Sequence, residues 1–183
     1  MFADAPPHAP APPPQDAEAP RSGLALLEEA RFRIRTLHEA DALAGFLADA
    51  FADPGRAERG LRELLVNAVE HGSLEIGHAL KGVLLDQNGW RAEVERRQTI
   101  EPYASRSVEV VFARRKGGAW VVITDQGPGF DWRAQLAVNP TRAGDRHGRG
   151  VARARSICFD ALSYNPKGNR AAAFMRARQN LDW

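Results

Sequence analysis

The sequence predicts an α+β fold built as a two-layer sandwich. Two segments, residues 43–51 and 61–69, repeat apolar residues at helical spacing. Two further apolar segments, one alternating and one continuous, lie on either side of Gly117-Gly118 and are typical of paired strands. Because no regular strand–helix–strand repeat links these elements, we expect hairpin strands packed against a layer of helices.

Length and composition favour one ordinary globular domain. The chain has 183 residues, of which 44% are hydrophobic and 26% charged, which is enough apolar material for one core. The formal net charge is only +2 and the basic residues are spread over separate segments, so nucleic acid is not the expected partner. The sequence has neither a membrane-spanning apolar run nor a signal peptide, which predicts a cytoplasmic protein. The single cysteine, Cys158, is expected to be a buried hydrophobic residue.

The predicted elements begin near residue 30. Residues 1–22 are rich in proline and alanine and are predicted to form a disordered tail, followed by one domain over residues 23–183. Phe32 and Ile34 alternate with arginines, which is typical of a strand with one solvent-facing side. A first helix is predicted to end at Asp53-Pro54-Gly55 and a second at Gly72.

The rest of the chain is predicted to contain short helices and strands around one long connection. Residues 128–148 are polar and contain glycines, and a connection of that length is usually functional or disordered. The other predicted elements are helices at residues 74–85, 90–97 and 151–158, and strands at residues 108–112, 119–124, 161–164 and 171–177.

Three polar residues share one face of the second helix. Glu63, Asn67 and His71 are each four residues apart and flank the leucine stripe, so they are predicted to lie at the rim of the core. An asparagine oxygen can bind Mg²⁺, which takes only one or two protein ligands beside a nucleotide. Glu63 can then orient or deprotonate a hydroxyl group that attacks the γ-phosphate. A plain solvated helix face is the alternative interpretation.

An aspartate and two glycines follow the apolar strand at residues 119–124. Asp125 stands at the edge of the core, where a carboxylate accepts hydrogen bonds only and suits the exocyclic amino group of adenine. Gly127 and Gly129 allow the backbone to turn sharply and to approach a flat ring closely. The alternative is an ordinary turn after a strand.

Two more glycines precede the helix predicted at Val151. The backbone amides of Gly148 and Gly150 would stand at a helix N-terminus, which attracts phosphate. Arg146 and Arg149 add donors, and an arginine there can stabilise charge on a transferring phosphoryl group. The alternative is a flexible, charged loop with a glycine hinge.

Other kinds of site fit the sequence less well. His71 and His78 lack a third convergent ligand for zinc. The pair Gly148 and Gly150 is not followed by the lysine and hydroxyl residue of a P-loop. No Gly-x-Ser-x-Gly motif or Cys/His pair indicates nucleophilic catalysis.

Taken in this order, the blocks at residues 61–72, 125–130 and 147–154 resemble the N-box, G1 box and G2 box of the Bergerat-fold (GHKL) ATPases. Within that superfamily the chain is most similar to the anti-sigma-factor serine/threonine kinases, over about residues 30–178. The resemblance implies the Bergerat fold, a mixed sheet with helices on one face. The chain departs from the group in its longer segment at residues 74–107 and in Val151, where leucine is common.

The resemblance also implies a role for each matching residue, with ATP and Mg²⁺ as the cofactors. It assigns Asn67 to Mg²⁺, Glu63 to activation of the attacking hydroxyl and Asp125 to the adenine amino group. Residues 131–148 would form a lid over the nucleotide. The other residues of the expected nucleotide site are His71, Gly127, Gly129, Arg146, Gly148, Arg149 and Gly150.

The leading hypothesis is therefore a kinase that transfers the γ-phosphoryl group of ATP to a serine or threonine of an antagonist protein. It would also hold a partner such as a sigma factor, and proteins of this group are often homodimers. One alternative is an ATP-binding module that regulates a partner by contact alone. Another is a detached catalytic domain that phosphorylates histidine or aspartate on a different protein.

Overall fold

Five antiparallel strands and four α-helices form an α+β structure over the residues described, which is compatible with the predicted two-layer sandwich. The computed structural model describes residues 23–133 and 158–177. The predicted tail at residues 1–22, most of the predicted connection and nearly all of the helix predicted from Val151 lie outside the described residues.

The sheet has the strand order β1-β2-β3-β5-β4. Strands β2 and β3 form the predicted hairpin across Gly117, and β4 and β5 form a second one. Strand β3 joins the two hairpins by pairing with β5, so that Val122 lies opposite Ala172. The strands are β1 (Glu29–Ile34), β2 (Val108–Arg115), β3 (Gly118–Thr124), β4 (Ala161–Tyr164) and β5 (Arg170–Arg176).

All the described strand pairs are antiparallel, so the expected mixed sheet is wrong for this part of the chain. A parallel pair needs a connection that crosses to the opposite end of the sheet. The helical connection after β1 instead starts and finishes at the same end, because Ile34, the last residue of β1, pairs with Val108, the first residue of β2.

Helices α1 and α2 begin at residues whose side chains cap them. In α1 (Leu37–Ala48) a capping box joins Thr36 and Glu39, each side chain accepting a hydrogen bond from the backbone of the other. Asp53 caps α2 (Pro54–Asn67), so the predicted stop at residues 53–55 is the start of α2, and α1 has already ended. None of the helices in the described part of the chain is long and apolar enough to cross a bilayer.

Helix α2 continues as one π-helical turn, Ala68–Ser73, called the π segment below. In this turn the Leu74 amide donates a hydrogen bond to the Val69 carbonyl oxygen at 2.9 Å. The bond spans five residues, whereas the hydrogen bonds of an α-helix span four. The helix was predicted to end at Gly72, and it ends one residue later. Single π turns within helices are frequent at functional sites, because the inserted residue shifts the side chains that follow.

Two short helices then connect the π segment to the sheet, α3 (His78–Asp86) and α4 (Trp90–Thr99). The predicted start of α3 at residue 74 is wrong by four residues. Leu74 and Ile76 are buried in the core instead, and Gly77 has an extended backbone immediately before the helix. The prediction for α4, residues 90–97, agrees with the structure to within two residues.

The core lies between one face of the sheet and helices α1 and α2. Leu47, Leu61 and Leu65 of the helices and Phe112 of β2 are fully buried there. Each such side chain contributes roughly 2–3 kcal/mol through removal of apolar surface from water. Cys158 is also buried, as predicted.

The opposite face of the sheet is more open. Trp120 of β3 is 39% exposed, and its ring packs on that of Phe174 of β5 with the centroids 4.6 Å apart. The neighbouring side chains Val111, Val122 and Ala172 on this face are only partly buried. The described helices therefore cover one side of the sheet.

Candidate functional site

A cavity of about 370 Å³ lies where three segments of the chain meet. The first is the end of α2 with the π segment, the second is the turn after β3, and the third is the turn between β4 and β5. Gly77 and His78, at the start of α3, close one side. The structure thus brings together two of the three blocks in which the sequence predicted site residues.

Asn67 lines the cavity, and Glu63 lies one helical turn behind it. Nδ2 of Asn67 donates a hydrogen bond to Oε1 of Glu63 at 2.9 Å, and both residues are half-buried at the rim of the core, as predicted. An amide nitrogen only donates hydrogen bonds, so the side-chain oxygen is the atom of Asn67 that can serve as a metal ligand. Glu63 is not among the residues that line the cavity.

Asp125 follows the last residue of β3 and lines the same cavity. Its Oδ1 accepts a hydrogen bond from the Gly127 amide at 2.8 Å. Burial raises the pKa of Asp125 to about 6, because the charged carboxylate loses hydration, and the Gly127 amide and the Lys167 charge offset this only in part. The carboxylate is therefore an acceptor that is poorly satisfied by water.

Three glycines allow these segments to approach each other. A Cβ at Gly72 would lie 2.4 Å from Cγ of Asp125, and a Cβ at Gly127 would lie 2.2 Å from the Gly72 carbonyl oxygen. Gly129 has a φ of +82°, and a Cβ there would lie 2.0 Å from the Lys167 carbonyl oxygen. Gly129 lines the cavity. Gly127 is not among the lining residues, but because it has no side chain the turn after β3 can pack directly against the π segment.

The turn between β4 and β5 supports Asp125 from the other side. Nδ2 of Asn169 donates to the Asp125 carbonyl oxygen at 2.9 Å, and the Asp125 amide donates to the Asn169 carbonyl oxygen at 3.0 Å. Oδ1 of Asn165 in turn accepts hydrogen bonds from the backbone amides of Gly168 and Asn169. This network fixes the backbone that carries the carboxylate.

Aromatic rings lie beside the carboxylate. Phe130 and Tyr164 both line the cavity and meet edge to face with centroids 5.3 Å apart. Trp132 stacks on Tyr164 and donates its indole N–H to the Asn165 carbonyl oxygen at 3.0 Å. Burial, and then the charges of Glu63 and Asp125, raise the pKa of Tyr164 far above its usual value. Tyr164 therefore lies within the electrostatic reach of both predicted carboxylates.

The two histidines considered as zinc ligands meet at the cavity. The ring centroids of His71 and His78 are 4.1 Å apart, and both residues line the cavity. Nδ1 of His71 also contacts the carbonyl oxygen of Ile76, which fixes the orientation of the ring. The structure therefore places His71 at the site, as predicted, and adds His78.

Asn67 lines the cavity and offers one oxygen that a metal ion could take as a ligand. In residues 23–133 and 158–177, no group of three or more histidine, cysteine or acidic side chains is placed to hold a metal ion. Mg²⁺ beside a nucleotide commonly binds one or two protein oxygens and takes its other ligands from phosphates and water. The side-chain oxygen of Asn67 fits that kind of binding.

Part of the predicted site cannot be compared with the structure. Arg146, Gly148, Arg149 and Gly150 lie outside the described residues, and so does most of the predicted lid at residues 131–148. The phosphate side of the predicted site therefore remains a prediction from the sequence.

Sequence reasoning did not place Tyr164 or Asn169 at the cavity, and it considered His78 only as an unlikely zinc ligand. The turn at residues 165–169 was recognised, but turn chemistry does not reveal which other turn it contacts. The sequence does contain a signal for a hydrogen-bonded turn, namely the two asparagines Asn165 and Asn169 on either side of Gly168. It contains no signal that this turn lies beside Asp125.

No family model matches the chain, and no curated protein is similar to it in sequence.

Proposed function

We propose that this protein binds ATP with Mg²⁺ and acts as a regulatory serine/threonine protein kinase of the anti-sigma-factor type, with the Bergerat fold. The observation that carries the proposal is that Asn67 and Asp125, from two separate sequence blocks, line one cavity. The resemblance of those blocks to the boxes of GHKL ATPases supplies the identity of the ligand. A cytoplasmic location follows as part of the same proposal.

The surroundings of Asp125 suit an adenine ring. The carboxylate is a hydrogen-bond acceptor that burial has deprived of water, so it gains from a ligand amino group. Ile123 and Ala171 offer apolar surface beside it, and Phe130 and Tyr164 offer aromatic rings. A flat base with an exocyclic amino group matches this combination of one acceptor and apolar walls.

Asn67 suits the metal end of the nucleotide. Its side-chain oxygen would bind Mg²⁺, and Glu63 orients it by accepting the amide hydrogen bond. Bound Mg²⁺ neutralises charge on the β- and γ-phosphates during phosphoryl transfer. Arg146, Gly148, Arg149 and Gly150 are the residues that we expect to contact the phosphates.

Glu63 would take the proton from the serine or threonine hydroxyl of an antagonist protein. As the oxygen of that hydroxyl attacks the γ-phosphorus, the bond from phosphorus to the bridging oxygen breaks and ADP leaves. Glu63 lies one turn behind Asn67, so it is near the metal end of the cavity. A regulatory partner such as a sigma factor would be released or retained according to this transfer.

The first test is calorimetric titration of the purified chain with Mg-ATP. We expect Asp125→Asn to weaken binding by about 10–100-fold, the effect of losing one charge-assisted hydrogen bond. The matched control is Asp49→Asn, which neutralises an exposed carboxylate at the end of α1 and should bind as the native chain does. Absence of binding to the folded native chain would overturn the proposal.

The kinase step is tested separately with γ-labelled ATP and a purified antagonist protein as acceptor. Glu63→Gln should still bind Mg-ATP but should lower the rate of transfer by about 10²–10⁴-fold, the usual effect of losing a general base. Glu58→Gln is the control, because Glu58 lies on the same helix and, among the described residues, its carboxylate pairs at the surface with Arg62 alone. Equal transfer rates for both variants would remove the catalytic role of Glu63.

A second function is favoured by one observation. Glu63 is engaged by Asn67 and does not line the cavity, which suits a protein that binds nucleotide and regulates its partner by contact alone. Under that alternative, Glu63→Gln and native protein would regulate the partner equally, while Asn67→Ala would change regulation only through nucleotide affinity.

A further inference from the structure

The π segment buries a carboxylate that the proposed function does not use. Glu70 has no exposed surface, although it carries a charged group. Its Oε2 accepts a hydrogen bond from Nζ of Lys81 in α3, and its Oε1 accepts one from the indole Nε1 of Trp90 in α4, each at 2.7 Å. Both carboxylate oxygens are therefore bonded to the helix pair α3–α4.

The bonds to Glu70 anchor α3 together with Leu84, which packs partly buried against the core. A buried charge is strongly unfavourable unless a partner compensates it, so Glu70 and Lys81 must stay together. No residue of α3 is buried, and its apolar side chains Leu80, Val83 and Leu85 are exposed. Lys81 also lies over the Trp90 ring, 5.5 Å from its centroid, which joins α3 to α4.

The same segment forms part of the cavity wall. His71 and Gly72, the two residues after Glu70, line the cavity, and Gly72 touches Asp125. On the helix pair, Lys81 lies one turn after His78, whose ring meets that of His71. The Glu70 carbonyl oxygen also accepts a hydrogen bond from the Ile76 amide at 2.9 Å, which fixes the chain that leads to α3.

We propose that Glu70 is a positioning residue that couples the cavity to the helix pair α3–α4. The Glu70 bonds to Lys81 and Trp90 hold the start of α3 against the cavity. Binding of a nucleotide there and docking of the helix pair must then favour each other, since such coupling is reciprocal. The inference rests on the proposed function, because it takes Mg-ATP as the ligand of the cavity. Under this proposal, the helix pair within residues 74–107 regulates the binding of Mg-ATP in the cavity.

The direct readout is the indole N–H of Trp90. In a ¹⁵N–¹H spectrum of the full chain, this resonance is identified by its loss in Trp90→Phe. Because the N–H donates to Glu70 and does not line the cavity, it reports on the coupling and not on nucleotide contact. We expect it to shift when Mg-ATP is added to the native chain.

The variants alter the cluster without touching the cavity. Lys81→Met keeps the apolar stem but removes the charge, and we expect it to weaken Mg-ATP binding about tenfold, within the range measured for coupling residues. Lys81→Arg restores a donor and should bind within about twofold of the native chain. Arg91→Met is the matched control, because in the part of the chain that the structure describes Arg91 pairs with Glu95 alone, at the surface of α4.

The outcomes separate this inference from the proposed function. A shifted Trp90 resonance, with affinity lost in Lys81→Met and kept in Lys81→Arg and Arg91→Met, supports the coupling. If the native chain binds Mg-ATP while the Trp90 resonance stays fixed, or if folded Lys81→Met and Glu70→Gln bind as the native chain does, the coupling is overturned and nucleotide binding stands. No binding to the native chain overturns both.

Discussion

Burial of the Asp125 carboxylate carries a cost in stability. Its carboxylate is partly desolvated, and the Gly127 amide provides its hydrogen bond within the described part of the chain. The folded chain therefore binds a proton at this residue more tightly than the unfolded chain does, with a pKa of about 6 against 3.8. Residues that bind ligands often carry such a cost, because the ligand supplies the missing interaction.

Replacement of Asp125 by asparagine should therefore stabilise the ligand-free protein. Because the folded pKa lies above the unfolded one, the free energy of unfolding of the native chain should fall as the pH rises from 3.8 to about 6, and the full cost should remain above that range. Asparagine cannot ionise and can still accept the Gly127 hydrogen bond. We expect Asp125→Asn to raise the free energy of unfolding at neutral pH by about 1–2 kcal/mol.

Urea denaturation at several pH values measures this effect. The difference between Asp125→Asn and the native chain should be largest at neutral pH and should vanish well below pH 3.8, where the carboxyl group is protonated in both the folded and the unfolded chain. Asp49→Asn, at the exposed C-cap of α1, controls for the amide substitution itself. A pH-independent difference would mean that asparagine alters packing and does not relieve desolvation.

The sequence was informative about residues whose neighbours lie along the same element. Glu63 and Asn67 were predicted to share a helix face, and they are hydrogen-bonded to each other at 2.9 Å. Tyr164 and Glu70 were not predicted, because their roles depend on which distant segments pack against them. Glu70 occurs in a helical pattern that looks solvent-facing, and only the Lys81 and Trp90 contacts explain its burial.

At the scale of elements, the site depends on a close contact between the π segment and the turn after β3. Gly72 and Gly127 meet with no room for a side chain on either, and Asp125 packs directly on Gly72. The extra residue of the π turn lies within this contact. The contact therefore sets the distance between the element that carries Asn67 and the turn that carries Asp125.

A single methyl group should disturb this contact. A Cβ at Gly72 would lie 2.4 Å from Cγ of Asp125, so Gly72→Ala forces the two segments apart. We expect it to lower the free energy of unfolding by about 1–3 kcal/mol, as overpacking typically does, and to weaken Mg-ATP binding. Thermal unfolding and calorimetry measure the two effects.

The same substitution elsewhere provides the control. Gly45 lies on the exposed side of α1, and a Cβ there would meet nothing within 4 Å. Gly45→Ala should therefore stabilise the chain by roughly 0.5–1 kcal/mol through helix propensity alone. If Gly72→Ala also stabilised the chain, the close contact with Asp125 would not be a constraint on the fold.

Element boundaries were predictable where local signals set them and not where packing did. The turn at Gly117 and the strand Ala161–Tyr164 were predicted correctly, because apolar runs and glycines mark them. The start of α3 was misplaced, because Leu74 and Ile76 continue the apolar pattern but are drawn into the core without forming a helix. Strands β1 and β2 are antiparallel because the helical connection returns to the end of the sheet at which β1 finishes. No local sequence pattern reveals where such a connection returns.

At the scale of the whole molecule, the sheet separates two different environments. On the covered face, Phe112 is fully buried and meets Phe51 edge to face with centroids 5.5 Å apart. On the open face, Trp120 packs mainly on Phe174 and keeps 39% of its surface exposed. The cavity lies on the covered side, since it is lined by residues of α2 together with Ile123 and Ala171, whose side chains are buried.

Two substitutions on neighbouring strands test this division. Phe112→Ala should lower the free energy of unfolding by about 3–5 kcal/mol, because it leaves a cavity in the core. Trp120→Ala removes a larger side chain but should cost only about 1 kcal/mol, the usual value of a cross-strand aromatic pair. Urea denaturation followed by circular dichroism compares both without relying on tryptophan fluorescence. If the two losses were equal, the open face would have to be covered in solution. Repeating the measurement at several protein concentrations would then show whether a second copy covers it, because only association makes the loss depend on concentration.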